Sequence, residues 1–340
     1  MKLADFNFAL SAERIARFPA DRRDESKLMV VNRENGEISH YKFSALPELL
    51  NADDFLVMNN SRVLPARLLG KIGSKTAELL IVKKLDARRL EVLCQPAAAF
   101  KAGVVFCGRG GLQAEVVGIG KHGRRLLACD RDYELVLEQG YAPLPPYIKR
   151  KAQQAEIYRS YDLERYQTVY AKNSGSIAAP TAGLHFTPEI LTRIRRQNPV
   201  LEITLDVGEA TFQKIASENI SEHRMGSEKI IINNNAANRI RELKSWEKKL
   251  LAVGTTTVRA LESHALLKTT AEEFYADIFI SPGFCFRMVD KLLTNFHLPQ
   301  SSLFILVSAF AGLDLMKKAY ALAGEREYRF YSYGDAMLII

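Results

Sequence analysis

The sequence predicts an α/β protein: a large domain with a mainly parallel sheet flanked by helices, plus an inserted small all-β barrel domain. Three observations lead there. After about residue 152, apolar runs alternate with helical patterns, and such alternation builds a parallel sheet covered on both faces. Between about Arg67 and Asp130 the texture changes to short β-prone runs separated by glycine-rich or charged turns, the pattern of a small barrel or sandwich. Polar clusters recur just after the apolar runs, where α/β enzymes place functional loops. The expected division is therefore residues 1–62 with 152–340 as a discontinuous catalytic domain, and 63–151 as the inserted barrel.

In chain order, Leu28–Asn32 reads as a strand, Phe43–Leu50 as a helix and Phe55–Met58 as a buried strand. The insert carries strands at Glu78–Lys83, Leu90–Gln95, Leu112–Val117 and Arg124–Asp130, and Pro143–Tyr147 forms a stiff exit from it. Gly118, Gly120 and Gly123 match G-x-G-x-x-G. A dinucleotide site would need a helix to open there, whereas Arg124–Cys129 reads as another strand, so the glycines make a hairpin loop. Thr187-Pro188-Glu189 is a helix start: cap, first helical residue and an acid in the first turn. A strand at Val200–Val207, a helix at Asn235–Lys244, a strand at Lys249–Val253 and a helix opening at Gly254-Thr255-Thr256-Thr257 complete the alternation.

Composition narrows the function classes. The chain has 340 residues, 47% hydrophobic and 25% charged, the profile of a soluble globular protein with a large core. Its longest C-terminal apolar run, Leu303–Leu313, is too short to span a bilayer, and no secretory signal is expected. The four cysteines (Cys94, Cys107, Cys129, Cys285) show neither CxxC pairing nor metal-ligand spacing. A cytoplasmic protein with no disulfide and no metal is expected. The net charge of +8 and pI near 9.2 permit a polyanionic partner such as RNA. There is no G-x-S-x-G elbow, Walker loop or H-E-x-x-H, which leaves an enzyme using proton transfer and polar positioning.

Four clusters can carry that chemistry. Ala178–Thr187 places Pro180, Thr181, Gly183 and His185 among small residues that admit a ligand close to the backbone, and His185 titrates near neutrality when unperturbed. Asn59-Asn60-Ser61-Arg62 with Arg67, Gly254–Thr257 with Arg259, and Thr294-Asn295-Phe296-His297 are the others. Each has a structural alternative; Arg259, for example, can pair with Glu262, its i+3 neighbour. Four such clusters at strand ends point to one composite site.

The ordered series RIARFPADRRDESKL (Arg14–Leu28), MNNSRVLPARL (Met58–Leu68), LPPYI (Leu144–Ile148), AAPTAGLHFT, VGTTTVRALES (Val253–Ser263), TNFHLPQSSLFILVSAFAG (Thr294–Gly312) and YRFYSYGDAMLI (Tyr328–Ile339) closely resembles one family over essentially the whole chain. It is the S-adenosylmethionine:tRNA ribosyltransferase-isomerase family of queuosine biosynthesis. The resemblance implies transfer and isomerisation of the ribosyl part of S-adenosylmethionine onto 7-aminomethyl-7-deazaguanine at the tRNA wobble position, giving epoxyqueuosine and releasing adenine and methionine. It implies S-adenosylmethionine as substrate rather than cofactor, the tRNA anticodon arm as partner, a monomer and no metal. Within it, His185 is the first choice and His297 the second for the base that deprotonates the carbon beside the sulfonium. Asp206 or Glu228 assists the departing adenine; Arg259, Thr255 and Thr256 hold the methionine carboxylate. Asn59, Asn60, Arg62 and Arg67 position ribose or the modified base, and Pro180, Thr181, Gly183, Asn295 and Asp335 complete the substrate-binding set.

Two motifs depart from the family pattern. LDVGEATF (Leu205–Phe212) has Asp206 for a histidine and Ala210 for a glycine, and EHRMGSE (Glu222–Glu228) has Gly226 for a histidine. Either the missing histidines supported others, or Asp206 takes over a role, or the chain is a weakened relative that binds tRNA or S-adenosylmethionine.

Overall fold

The computed structural model describes residues 1–148, 152–208 and 215–340. Packing divides the chain into two compact units: Met1–Arg62, Gln167–Asn173 and Ala179–Ile340 form one, and Val63–Tyr166 with Ser174–Ala178 the other. The chain thus returns to the first unit at Gln167 rather than at 152. The intervening helical stretch is tied to the second unit, where Arg159 donates to the carbonyls of Glu138 and Gly140.

In chain order the first unit opens with β1 (Lys27–Val31), β2 (Ile38–Lys42), the short helix α1 (Leu46–Leu49) and β3 (Asp54–Asn59). After β4 (Ser61–Val63) come β5 (Arg67–Ile72), β6 (Lys75–Lys84), β7 (Arg89–Gln95), β8 (Val105–Gly108), β9 (Gln113–Ile119) and β10 (Arg125–Cys129). Helices α2 (Tyr133–Glu138), α3 (Ala152–Ile157) and α4 (Arg159–Arg165) follow, and then β11 (Asn173–Ser176), which pairs with β4. The rest is α5 (Pro188–Gln197), β12 (Val200–Leu205), β13 (Glu228–Ile231), α6 (Asn234–Ser245), β14 (Lys249–Val253), α7 (Thr255–Leu267), β15 (Glu273–Ala276), β16 (Lys291–Asn295), α8 (Ser302–Ala311), α9 (Leu313–Glu325) and β17 (Ala336–Ile339).

Nine of these strands form one sheet in the order β15-β13-β12-β3-β14-β16-β17-β1-β2. Its centre, β12·β3·β14·β16, is parallel, as is β17·β1, and the remaining neighbours are antiparallel. The sheet is therefore mixed, with its parallel part where the sequence alternates most clearly. All six residues of β3 are buried, which explains why it reads as a continuous apolar run: a central strand has two covered faces. Leu56, Met58, Leu251, Val253 and Leu293 pack on Phe186, Ile190, Leu191 and Ile194 around α5. Burying one such side chain is worth about 1.5–3 kcal/mol.

The helix starts follow their caps. Thr187 accepts from Ile190 N before Pro188 at the first position of α5, and Ser301 accepts from Phe304 N before α8. In the second unit, β10-β7-β6-β5-β8-β9 close into an antiparallel barrel. Alternation along β7 and β9 turns Leu90, Val92, Ala114 and Val116 inward, beside Leu79 and Phe106. Gly120–Gly123 make the turn between β9 and β10, so the glycine triad is a hairpin.

Candidate active site at the sheet edge

Strand register gathers the polar clusters. Asn59, Asp206, Gly254 and Asn295 end or directly follow the parallel strands β3, β12, β14 and β16. Leu205 pairs with Ile230, Asn295 with Ala336, and Ala336 with Leu28. The beginnings of β13, β17 and β1 therefore lie at the same end and add Glu228, Asp335 and Ser26. This is the end of an open α/β sheet at which ligands bind.

His185 lies at this edge with both ring nitrogens engaged. Nδ1 is 2.8 Å from Ser26 Oγ and Nε2 is 3.2 Å from Asn295 Nδ2. Asn295 Nδ2 also donates to Tyr331 O at 3.0 Å, which fixes it as the amide nitrogen, so Nε2 accepts and Nδ1 carries the proton. Ser26 relays that proton's hydrogen bond to Arg23 O at 3.0 Å. Burial first, then the charges of Arg329 and Arg23, pushes the imidazole pKa down to about 3. His185 is thus a neutral, anchored ring and not a base tuned near neutrality. The same holds for His297, which is buried, with Nε2 2.9 Å from Thr294 Oγ1 and its pKa also pushed by burial to about 3.

Glu228 and Arg259 form an ion pair with side chains only 3% and 8% exposed. The pairing of Arg259 with Glu262 does not occur. Glu262 accepts instead from the backbone amides of Arg287, Met288 and Val289 at 2.9–3.1 Å and anchors that loop. Arg259 is accordingly neutralised before any ligand arrives. The start of α7 lacks such a partner: Gly254 caps it with φ 93° and no side-chain hydrogen bond, so among the described residues no side chain closes its first amides. A side chain at Gly254 would be strained at that φ. The N-terminus of α5, in contrast, is closed by its own Thr187.

Several residues expected to touch substrate have structural duties. Asn59 exchanges two hydrogen bonds with the backbone of Leu205, and Asn60 bonds Glu202 and Thr204. Arg62 donates to Ala171 O. Arg67 belongs to the barrel unit, in a bidentate pair with Glu78 at 2.8 and 2.7 Å. Pro180 and Thr181 begin a tight 3-10 turn, Thr181–His185. A Cβ on Gly183 would lie 2.0 Å from Tyr170 Oη, so the glycine there admits a tyrosine rather than a ligand. Asp335 is held by the amides of Lys27 and Arg329 and by the Arg329 guanidinium.

Among the described residues, Asp206 Oδ1, Thr256 Oγ1 and Asn295 Oδ1 on this edge are buried and have no hydrogen-bond partner. They follow β12, open α7 and end β16. Three strand spacings separate the outer two, about 14 Å. Burial raises the Asp206 pKa, which Lys229 partly offsets. Unsatisfied buried atoms cost about 1–3 kcal/mol each.

The family model described as "Queuosine biosynthesis protein" matches residues 3–339. The chain belongs to this family. A relative from Desulfitobacterium hafniense named S-adenosylmethionine:tRNA ribosyltransferase-isomerase is 49% identical, and one of the same name from Halothermothrix orenii is 45% identical, each aligned over all of both chains. The crystal structure of an S-adenosylmethionine tRNA ribosyltransferase from Thermotoga maritima matches with a TM-score of 0.56 and 33% identity, covering 99% of this chain and 100% of that one.

Of the positions where this queuosine-family chain departs from the pattern, Asp206 lies at the shared edge and Gly226 precedes β13, while Ala210 falls outside the described residues. Sequence reasoning did not single out Ser26, Arg23, Arg329 or the Tyr331 carbonyl, which hold His185, Asn295 and Asp335 in place. Their signal was available: all lie inside the two motifs, Arg14–Leu28 and Tyr328–Ile339, that carry the resemblance without contributing an obvious catalytic side chain.

Proposed function

We propose that this protein transfers and isomerises the ribosyl moiety of S-adenosylmethionine onto 7-aminomethyl-7-deazaguanine at the wobble position of a tRNA, releasing adenine and methionine and leaving epoxyqueuosine. The observation that carries this reading is the set of full-length relatives, 44–49% identical, that bear the name of that enzyme. The sheet edge supplies polar groups for it: orphan oxygens follow β12, open α7 and end β16. The first amides of α7, with Thr256 Oγ1, take the methionine carboxylate. Asp206 is the proton-transfer group, because it combines an unpartnered oxygen with a raised pKa. Glu228 and Arg259 form a fixed pair beside it, and His185 holds Asn295. S-adenosylmethionine enters as a substrate, so no further cofactor is required. The enzyme works as a cytoplasmic monomer on the anticodon arm; among the described residues no helix is long and apolar enough to cross a membrane.

Adenine release, followed chromatographically with tRNA carrying the precursor base and with unmodified tRNA, tests the reading. Release is expected only with the precursor tRNA. Equal release with the free base, or none with either RNA, overturns it.

A further inference from the structure

A cavity of about 240 Å³ lies between α6, the last turns of α7 and the loop before β16. α7 opens at the active-site edge with Thr255, and His264, which lines the cavity, sits about 14 Å further along the helix axis. The floor is aliphatic, made by the buried Ile232, Ile240 and Leu261, and the flexible Met288 lies beside them. The polar lining is cationic, Arg241, Lys244 and Arg287 with His264, and among the described residues no carboxylate lines the cavity. The cations differ in what they already hold. Lys244 Nζ pairs with Asp290 at 2.7 Å, and Arg241 Nη1 donates to Asn238 Oδ1 at 2.8 Å. The exposed Arg287 guanidinium has no hydrogen-bond or ion-pair partner among the described residues. Its backbone is fixed all the same, because Arg287 N donates to Glu262 at 2.9 Å. The carboxylates of the flanking elements are occupied: Glu262 by three amides of that loop, and Glu272 by Asn234 N. His264 makes a ring contact with Phe274, and neither of its nitrogens has a hydrogen bond among the described residues. Burial and then the charge of Arg241 hold its pKa below the ordinary 6.5, so at neutral pH the ring has one N–H to donate.

We propose that this cavity binds a small organic monocarboxylate, its short apolar chain on the aliphatic floor and its carboxylate at the Arg287 guanidinium, with the His264 N–H as a second donor. The site goes beyond the transferase reading and does not depend on it. A guanidinium matches a carboxylate with two parallel hydrogen bonds, and a loop already anchored by Glu262 holds it ready. The volume is below the roughly 300–1,000 Å³ that takes a drug-sized molecule, so the chain is short. The aliphatic floor argues against a phosphate, whose oxygens would lose water there without new partners. The lack of a lining carboxylate argues against a free amino acid, whose ammonium group would need one. With Lys244 already neutralised by Asp290, a single negative charge meets a single unpaired guanidinium.

Hexanoate is the probe, titrated into the full chain and followed by the ring-proton NMR signals of His264, which are assigned by their loss in His264→Gln. A Kd of about 1 mM is expected for a ligand of this size. Arg287→Gln should weaken binding about tenfold or more. Hexanamide, with the same chain and no charge, should bind the wild type more weakly than hexanoate by a similar factor. Ala237→Leu, which fills part of the cavity, should abolish the His264 response. Inorganic phosphate should bind more weakly than hexanoate. Thermal melts matching wild type show that the variants fold, and the hexanamide and phosphate comparisons need no variant. No His264 response to hexanoate at about 20 mM overturns the proposal, as does an unchanged Kd in Arg287→Gln or equal binding of hexanamide. Phosphate binding as tightly as hexanoate overturns the assignment of an apolar carboxylate. None of these outcomes bears on adenine release, so this site and the transferase reading fail separately.

Discussion

His297 offers a quantitative check on the buried site. It is 5% exposed, and burial holds its pKa at about 3 against an ordinary 6.5. His185 is held at about 3 by burial and then by Arg329 and Arg23. In the unfolded chain both return to about 6.5. A depressed folded pKa contributes stability that is fully present above the unfolded value and lost as pH falls towards the folded one. The window is therefore pH 6.5 down to about 3. Within it the unfolded chain binds one more proton per ring, a slope of about 1.4 kcal/mol per pH unit for each. Between pH 6.5 and 4.5 that removes roughly 2 kcal/mol per ring, or roughly 4–5 kcal/mol for both, a large part of a typical total of about 5–15 kcal/mol. Urea unfolding at steps from pH 7 to 4.5 reads it, followed by the fluorescence of Trp246, the single tryptophan, which lies in the first unit. His297→Gln should be less stable than wild type at pH 7 yet lose stability less steeply below pH 6, by about 1.4 kcal/mol per pH unit. Equal slopes in variant and wild type would refute the buried neutral imidazole.

Gly183→Ala should cost about 1–3 kcal/mol through its clash with Tyr170, and Tyr170→Phe in that background should recover part of it; a thermal melt identical to wild type contradicts the close approach. Glu228→Gln should cost about 3–5 kcal/mol by leaving the Arg259 charge buried and unpaired. Adding Arg259→Met should then cost less than the sum of the single changes, and additive single and double variants would show that the pair is not coupled. Asp206→Asn should slow adenine release about 10²–10⁴-fold with little change in S-adenosylmethionine affinity. Undiminished turnover in that variant removes Asp206 from proton transfer.

Much of the fold was legible from local pattern. Lys249–Val253 was read as a strand to the residue, because a β-branched and leucine-rich run buried on both faces has no polar interruption. Thr187-Pro188 announced α5, because capping is settled within one turn. Shorter strands escaped. β13, β15 and β17 have four residues each and owe their conformation to neighbours distant in sequence. The site was legible as a set of motifs, but roles assigned from residue type alone were less secure. A histidine among small residues suggested a base, whereas burial between Ser26 and Asn295 makes it an anchor. Arg259 beside Glu262 suggested an i+3 pair, whereas Glu228 on another strand takes the guanidinium.

By itself the sequence determined the family, the α/β class with a β-barrel, the helix starts and the motifs from which the edge is built. These follow from hydrophobic periodicity, capping and motif order, all of which act along the chain. Tertiary structure alone decided which of those polar groups are already satisfied and which are buried without a partner. Hydrogen-bond partnership and desolvation depend on groups brought together from across the chain, as when Asn295 meets His185 from 110 residues away. That is why Asp206, Thr256 and Asn295 each keep a buried oxygen without a partner among the described residues, while both histidines are hydrogen-bonded.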